Sequence, residues 1–517
     1  MLFFCRIFLL MQQHLNPTIS ILCQRRSTDM SAKTHFPSAF EHTFTSVKDL
    51  TLVLKNLGIQ KAILKPLPKN ANDKNQIYFA SDFSVLYNLF DITLAERGPS
   101  FSRTKDSSTP GSLIPEGLFN NFAWCKRDGT LVKAKNVKVI IYTQYPEARL
   151  SGFISVENDM PQSLSVSFMK DNPECKRILV LGSLPGGACI ALVLIHYTDS
   201  FAADMAALPG MEGSRICKQI TIEQDHRSKL LKQLSGVVKT PRKGCRLDAY
   251  GNTLPFTGTQ VCGYTLEHAL GIVPNSDKDG DIYGIELKTH TQEKVTLFTP
   301  EPDFGPYTDD FARFMMMYGY QSAGKNEYRL TGVHRANERN NKTGLTLKIR
   351  EYHPANPDDK KSDWVRDDNG DKVAFPYDGS TSLTSKLNAV EVVLEDDTGN
   401  VAAGWSLARL MNTWGVKHND VVYLSASKTA NEDKAERAQG YAFKVSFESK
   451  VILCQRTSAE HLLKAINDGV IFLDPAPKYV PDDVSKNKRR SQWRVNDISK
   501  AVHALYDDVK LFDLADA

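Results

Sequence analysis

Between residues 281 and 288 the chain runs Asp-Ile-Tyr-Gly-Ile-Glu-Leu-Lys, three charges set among aliphatic side chains. A stretch carrying Ile282, Ile285 and Leu287 reads as a buried strand. Charges in such a place cost free energy unless they are paired or used. Side chains alternate faces along a strand, so Glu286 and Lys288 project one way and Leu287 the other. Asp281 stands at the strand's entry, behind a Pro274–Gly280 loop rich in Asn, Ser, Asp and Gly, and is able to curl back to the same spot. A short helix expected over Tyr264–Leu270, ended by Gly271, carries Glu267 on the approach to that loop. The expectation is two carboxylates and an ammonium converging at one sheet edge, with Glu267 nearby.

Such a set has a definite chemistry. The carboxylates of Asp281 and Glu286 with the main-chain carbonyl of Leu287 make a hard oxygen site suited to Mg²⁺, which keeps several waters and takes a phosphate oxygen. Lys288 would orient the attacking water or help deprotonate it, while the ion offsets charge on a scissile phosphate. The same spacing occurs on ordinary surface strands, where Glu286 and Lys288 would be a weakly interacting exposed pair. The apolar neighbours, the turn-rich loop and the extra carboxylate of Glu267 favour a site.

A chain of 517 residues is too long for one hydrophobic core, so at least two domains are expected. Residues 40–225 read as an N-terminal α/β domain, with buried strands at Lys138–Tyr142, Arg177–Leu181 and Ala188–Ile195 and helices near Ser46–Leu57 and Asp82–Ala95. Tyr145–Phe153 sets Glu147 and Arg149 close together and reads as a structural ion pair sooner than a ligand loop. Residues 226–247 hold Arg227, Lys229, Lys232, Lys239, Arg242, Lys243 and Arg246 and no acid, and read as a basic linker. Residues 248–517 form the second domain. Strands are expected there at Leu345–Tyr352, Ala389–Glu395, Val421–Ser425 and Tyr441–Phe447, helices at Trp405–Trp414 and Ala459–Asp468, and a hairpin turn at Asn369-Gly370. The fold class is thus α/β or α+β, a mixed sheet flanked by helices.

Partners and compartment follow from charge and cysteines. A net charge of +4 does not argue nucleic-acid binding, but the 226–247 run and a second one at Lys486, Lys488, Arg489, Arg490 and Arg494 are each a solvated face or a phosphate contact. Nine scattered cysteines without CxxC or Cys/His metal spacing suit a reducing cytoplasm. The opening MLFFCRIFLLM is too short to span a membrane and is broken by Arg6; residues 1–39 read as disordered, with Met30 an alternative start. A metabolic enzyme is disfavoured, since no GxGxxG, GKS/GKT or GxSxG element is present.

Residues 263–299, GYTLEHALGIVPNSDKDGDIYGIELKTHTQEKVTLFT, closely resemble the core of the MvaI/BcnI family of type II restriction endonucleases. That family belongs to the PD-(D/E)xK nucleases and is related to the mismatch-repair nicking enzyme MutH. The likeness rests on the Glu-bearing helix, the Pro-Asn-Ser-Asp loop, the Asp-x4-Glu-x-Lys element and the Thr-Leu-Phe-Thr segment. A weaker likeness continues through Trp405–Leu410 and Ile466–Leu473 to residues 486–495.

The resemblance implies a PD-(D/E)xK core with Asp281 and Glu286 as metal ligands, Lys288 as the catalytic lysine and Glu267 in support. It implies hydrolysis of double-stranded DNA with Mg²⁺, or Mn²⁺ in its place, leaving 5′-phosphate and 3′-hydroxyl ends at a short specific site. A monomer is implied, as is a companion DNA methyltransferase that is a functional and not a physical partner. His290, Arg489, Arg490 and Gln492 are the candidates for DNA contact; the bland alternative is a solvent-facing His290 and, for the arginines, solvated charge. The N-terminal domain is the departure from the family, and it leaves open a nicking, repair or modification-dependent nuclease, or a DNA-binding protein with a vestigial site.

Overall fold

A computed structural model of the protein describes residues 36–67, 77–97, 114–143, 146–211, 213–222, 226–273, 281–358, 362–415 and 418–515. The apolar start, Met30 and the Pro274–Gly280 loop lie outside the described residues. Among those described, no helix is long and apolar enough to cross a membrane. Seven cysteines among them are free thiols, and six of the seven are buried.

The chain divides into two compact units. The first takes residues 1–80, 118–140 and 148–224. Its centre is the antiparallel pair Arg177–Ser183 and Cys189–Ile195, buried along their whole length. Lys61–Leu67 flanks the first of these and Phe122–Cys125 the second, in a seven-stranded sheet. One face holds Ile178, Val180, Leu192 and Leu194 against Leu50 and Leu54 of helix Val47–Asn56. Ser46 caps that helix by accepting the Asp49 N–H at 3.2 Å, satisfying a donor that the first turn leaves open. Glu147–Ser151 is a strand paired with Ile77–Ala80, so the region around Arg149 is sheet and not a loop.

The second unit takes residues 81–117, 141–147 and 225–517. Its main sheet and the helices against it are, in chain order, α1 (His226–Val238), β1 (Arg242–Lys243), the hairpin β2 (Cys245–Leu247) and β3 (Thr253–Pro255), α2 (Val261–Ala269), β4 (Glu286–His290), α3 (Leu407–Trp414), β5 (Asp420–Ala430), β6 (Phe443–Gln455) and β7 (Asp508–Asp513). The strand order is β1-β6-β5-β4, with β7 also paired to β6. β4 runs parallel to β5 and antiparallel pairs make up the rest. Leu230, Leu234 and Val237 of α1 and Val261, Cys262 and Leu266 of α2 pack with Val422, Leu424, Val445 and Leu453 of the sheet.

The stretch expected as a basic linker therefore opens on a core helix. Leu230, Leu234 and Val237 recur at helical spacing beneath the lysines and arginines, and the charges mask that stripe in a composition reading. A second difference lies at residues 82–95, expected as a helix. Only Ser84–Tyr87 is helical, and Ile92–Arg97 is a strand. A short buried apolar run does not reveal its state by period alone. Here the backbone is claimed by side chains of the second unit. The Asn412 amide accepts the Leu94 N–H at 2.7 Å and donates to the Leu94 carbonyl at 2.8 Å. The Tyr87 hydroxyl donates to the Met411 carbonyl, and the Phe83 N–H donates to Thr384 Oγ1 at 2.9 Å.

Candidate active site

Among the described residues β4 is an edge strand, paired through its β5 side, with Glu286 opposite Val421 and Lys288 opposite Tyr423. Immediately before it the chain makes a tight turn. Tyr283 and Gly284 both have positive φ, 55° and 77°, and the Ile282 and Ile285 backbones bond one another across the turn. Two successive residues with positive φ match the twist of paired strands. Tyr283 bears a side chain in this strained region and stacks on the His226 ring of α1, with centroids 5.1 Å apart.

The turn folds Asp281 back along the free edge. Its N–H donates to the Ile285 carbonyl at 3.1 Å, and its Oδ2 accepts the Leu287 N–H at 2.7 Å. In an extended strand the N–H and C=O of one residue point to the same side, so the Leu287 carbonyl also faces the Asp281 edge. Glu286 is buried, 6% exposed, and Lys288 Nζ lies 3.3 Å from its Oε1. The structure thus sets the Asp281 carboxylate on the Leu287 N–H and pairs Glu286 with Lys288 along the same short strand. Glu267 sits on α2, where its carbonyl accepts the Ile272 N–H at 2.8 Å. Among the described residues no three His, Cys, Asp or Glu side chains are grouped to hold a metal.

Beneath this edge the sheet supplies buried polar groups that nothing in the sequence pattern marked. His418 is buried, its Nδ1 2.6 Å from the Trp414 carbonyl and its Nε2 3.3 Å from the Leu297 carbonyl, with its ring stacked on Trp414. Burial holds its pKa down at about 4; the positive charge of Lys288 lowers it further and Glu286 opposes. Tyr423 and Tyr506 face each other with hydroxyls 3.4 Å apart, and burial pushes both phenols up, with the Glu286 charge adding to the effect. These groups come from residues 418–506, far away in sequence and without motif spacing.

The candidates for DNA contact are dispersed. His290 ends β4 on the same face as Glu286 and Lys288, half-buried, with Nδ1 3.1 Å from the Gln292 carbonyl. Arg489 lies over the rings of Phe311 and Tyr307, 4.6 and 5.1 Å from their centroids. Arg490 is exposed and Gln492 half-buried, on the segment entering strand Trp493–Val495. Arg494 is taken up inside the fold, 2.8 Å from Asp474, which also pairs with Lys294 at 2.7 Å.

The family model of the MvaI/BcnI restriction endonucleases matches residues 252–506, a span that contains every one of these candidates. The unit is thereby of the restriction-endonuclease class, hydrolases of phosphodiester bonds in DNA. Over residues 252–506, just under half of its length, the chain is similar to the MvaI/BcnI restriction endonuclease family. No curated protein matches the chain. Among solved structures, restriction endonuclease MvaI in complex with cognate DNA superposes with a TM-score of 0.37 at 16% identity, covering 56% of this chain and 99% of that one. MvaI without DNA gives 0.30 at 15% identity with the same coverage of each chain.

Proposed function

We propose that the second unit cuts double-stranded DNA at a specific site with Mg²⁺, or Mn²⁺ in its place, as the nuclease of a restriction–modification system whose partner activity is a DNA methyltransferase. The observation that carries the reading is the return of Asp281 onto Leu287, beside the Glu286–Lys288 pair. Asp281, Glu286 and the Leu287 carbonyl are the oxygen donors that would hold the ion, and hard oxygens on one edge suit it. When bound, the ion supplies charge neutralisation at the scissile phosphate. The Leu287 N–H orients the Asp281 carboxylate. Lys288, held by Glu286, positions the attacking water and stabilises the phosphate oxygens. Glu267 acts from α2 as a supporting residue, and His290, Arg489, Arg490 and Gln492 are proposed to meet the DNA, with the chain acting as a monomer.

Incubating the protein with long unmodified DNA and Mg²⁺, then sequencing the fragment ends, tests this directly. Discrete ends are expected, and intact DNA with either Mg²⁺ or Mn²⁺ would overturn it. A second reading has one observation behind it, the whole first unit lying outside the family match. That unit would sense modified bases or direct nicking, and cleavage confined to methylated plasmid would select this reading.

A further inference from the structure

Resting on the nuclease reading, we propose that the β2–β3 hairpin is a groove-reading finger that seats Tyr250 against the duplex while the neighbouring cations meet its phosphates. Tyr250 is 90% exposed, more than any other large apolar side chain described; Leu511 follows at 76%. The fold makes no described use of its ring, yet the loop that presents it is closed by hydrogen bonds. The Asp248 N–H donates to the Asn252 carbonyl at 2.9 Å, and the Asp248 carboxylate accepts the Tyr250 and Asn252 N–H groups, each at 2.8 Å. Gly251 supplies the left-handed residue that closes the turn, with φ +83°. A preorganised aromatic tip loses little conformational entropy on binding.

The hairpin is fastened to the helix that carries Glu267. The Cys245 N–H donates to Thr265 Oγ1 at 3.3 Å, and Thr253 Oγ1 lies 2.8 Å from His268 Nε2. Its surroundings are cationic. Residues 226–247 contain no acid, and Asp248, the first acid after them, is consumed by the turn. Lys239, six residues before the hairpin, is exposed. The charges of Arg242 and Lys243 both reach His268, and with burial they hold its pKa below the usual histidine value. Arg246 stands opposite Leu254 on the hairpin itself. An exposed aromatic wedge on a hairpin that carries basic residues, bonded to the helix of Glu267, fits a nucleic-acid groove. A protein partner would be expected to bury an apolar patch, and only Leu254, 39% exposed, accompanies Tyr250 here.

The test uses full-length protein, Ca²⁺ in place of Mg²⁺, and a fluorescein-labelled duplex of mixed sequence. Tyr250→Ala should weaken binding about tenfold, and Tyr250→Phe should retain affinity. Replacing Lys239, Lys243 and Arg246 together by Ala should flatten the dependence of log affinity on log salt by about 2 to 3 units. Leu511→Ala, equally surface-lying, should bind as wild type. Thermal unfolding of Tyr250→Ala should be unchanged, which separates lost contact from lost fold. Wild-type affinity for Tyr250→Ala overturns the proposal while leaving the nuclease reading intact; a wild-type protein that neither binds nor cuts duplex overturns both.

Discussion

Asp281 Oδ2 accepts the Leu287 N–H at 2.7 Å, joining two residues that flank a two-residue turn and lie on the free edge of the sheet. The bond fixes an acidic side chain beside a main-chain carbonyl and next to Glu286.

The first prediction separates charge from architecture at that bond. Asn at position 281 keeps an oxygen able to accept the Leu287 N–H but loses the negative charge. Asp281→Asn should therefore fold normally, bind DNA, and cut at least about a thousandfold more slowly. Lys288→Ala should behave likewise, and chelating divalent ions should stop wild-type cleavage. Rates from plasmid linearisation, with thermal midpoints alongside, decide the matter. Cleavage by either variant at the wild-type rate would remove those residues from the mechanism.

The second concerns Gly284, which has φ 77° immediately after Tyr283 at φ 55°. A side chain there adds strain of about 1–2 kcal/mol. Gly284→Ala should lower stability by about that amount in urea unfolding and reduce cleavage more than DNA affinity, because the turn aims Asp281.

The third addresses residues 81–97, a strap held at Leu94 by Asn412. Asn412 makes two hydrogen bonds to one backbone residue, and removing them leaves the Leu94 N–H and C=O without those partners. Asn412→Ala should cost about 1–3 kcal/mol. Protein lacking residues 81–97 should be less stable than the full chain, although the family match begins at residue 252. Equal stability of the two would show the strap to be dispensable.

The fourth is a pH dependence. Burial holds His418 and His334 of the second unit at about 4, below the ordinary histidine value of about 6.5. The unfolded chain binds these protons first, so stability is full above about pH 6.5 and falls as pH drops towards 4, by about 1.4 kcal/mol per pH unit for each histidine. Below pH 4 this contribution levels off. Urea unfolding between pH 4 and 7 measures it, and His334→Gln should remove about one proton from the slope. An unchanged slope in that variant would rule out His334 as a contributor.

Several strands of the second unit were legible because their apolar runs are long. Val421–Ser425 lies within Asp420–Ala430, and Leu345–Tyr352 corresponds to Thr346–Tyr352. Boundaries moved where a cap or a bend decided them: the expected helix Trp405–Trp414 begins only at Leu407, since Trp405 belongs to strand Val401–Ser406 and Ser406 caps the helix by accepting the Arg409 N–H at 3.1 Å. The strap was not legible, because its conformation is set by Asn412 and Met411, more than 300 residues on.

The sequence by itself determined the local chemistry: Glu286 and Lys288 share a face because strand geometry has a period of two, whereas the strand expected from Asp281 onward begins only at Glu286 because the chain turns at Tyr283–Gly284. Only the tertiary structure decided what surrounds them. The basic stretch became a core helix because its leucines found the sheet, and His418, Tyr423 and Tyr506 came to lie behind Glu286 because β4 and β5 pair in parallel across a long crossover. Those contacts are between residues distant along the chain, and no local pattern encodes which distant partner a buried face will meet.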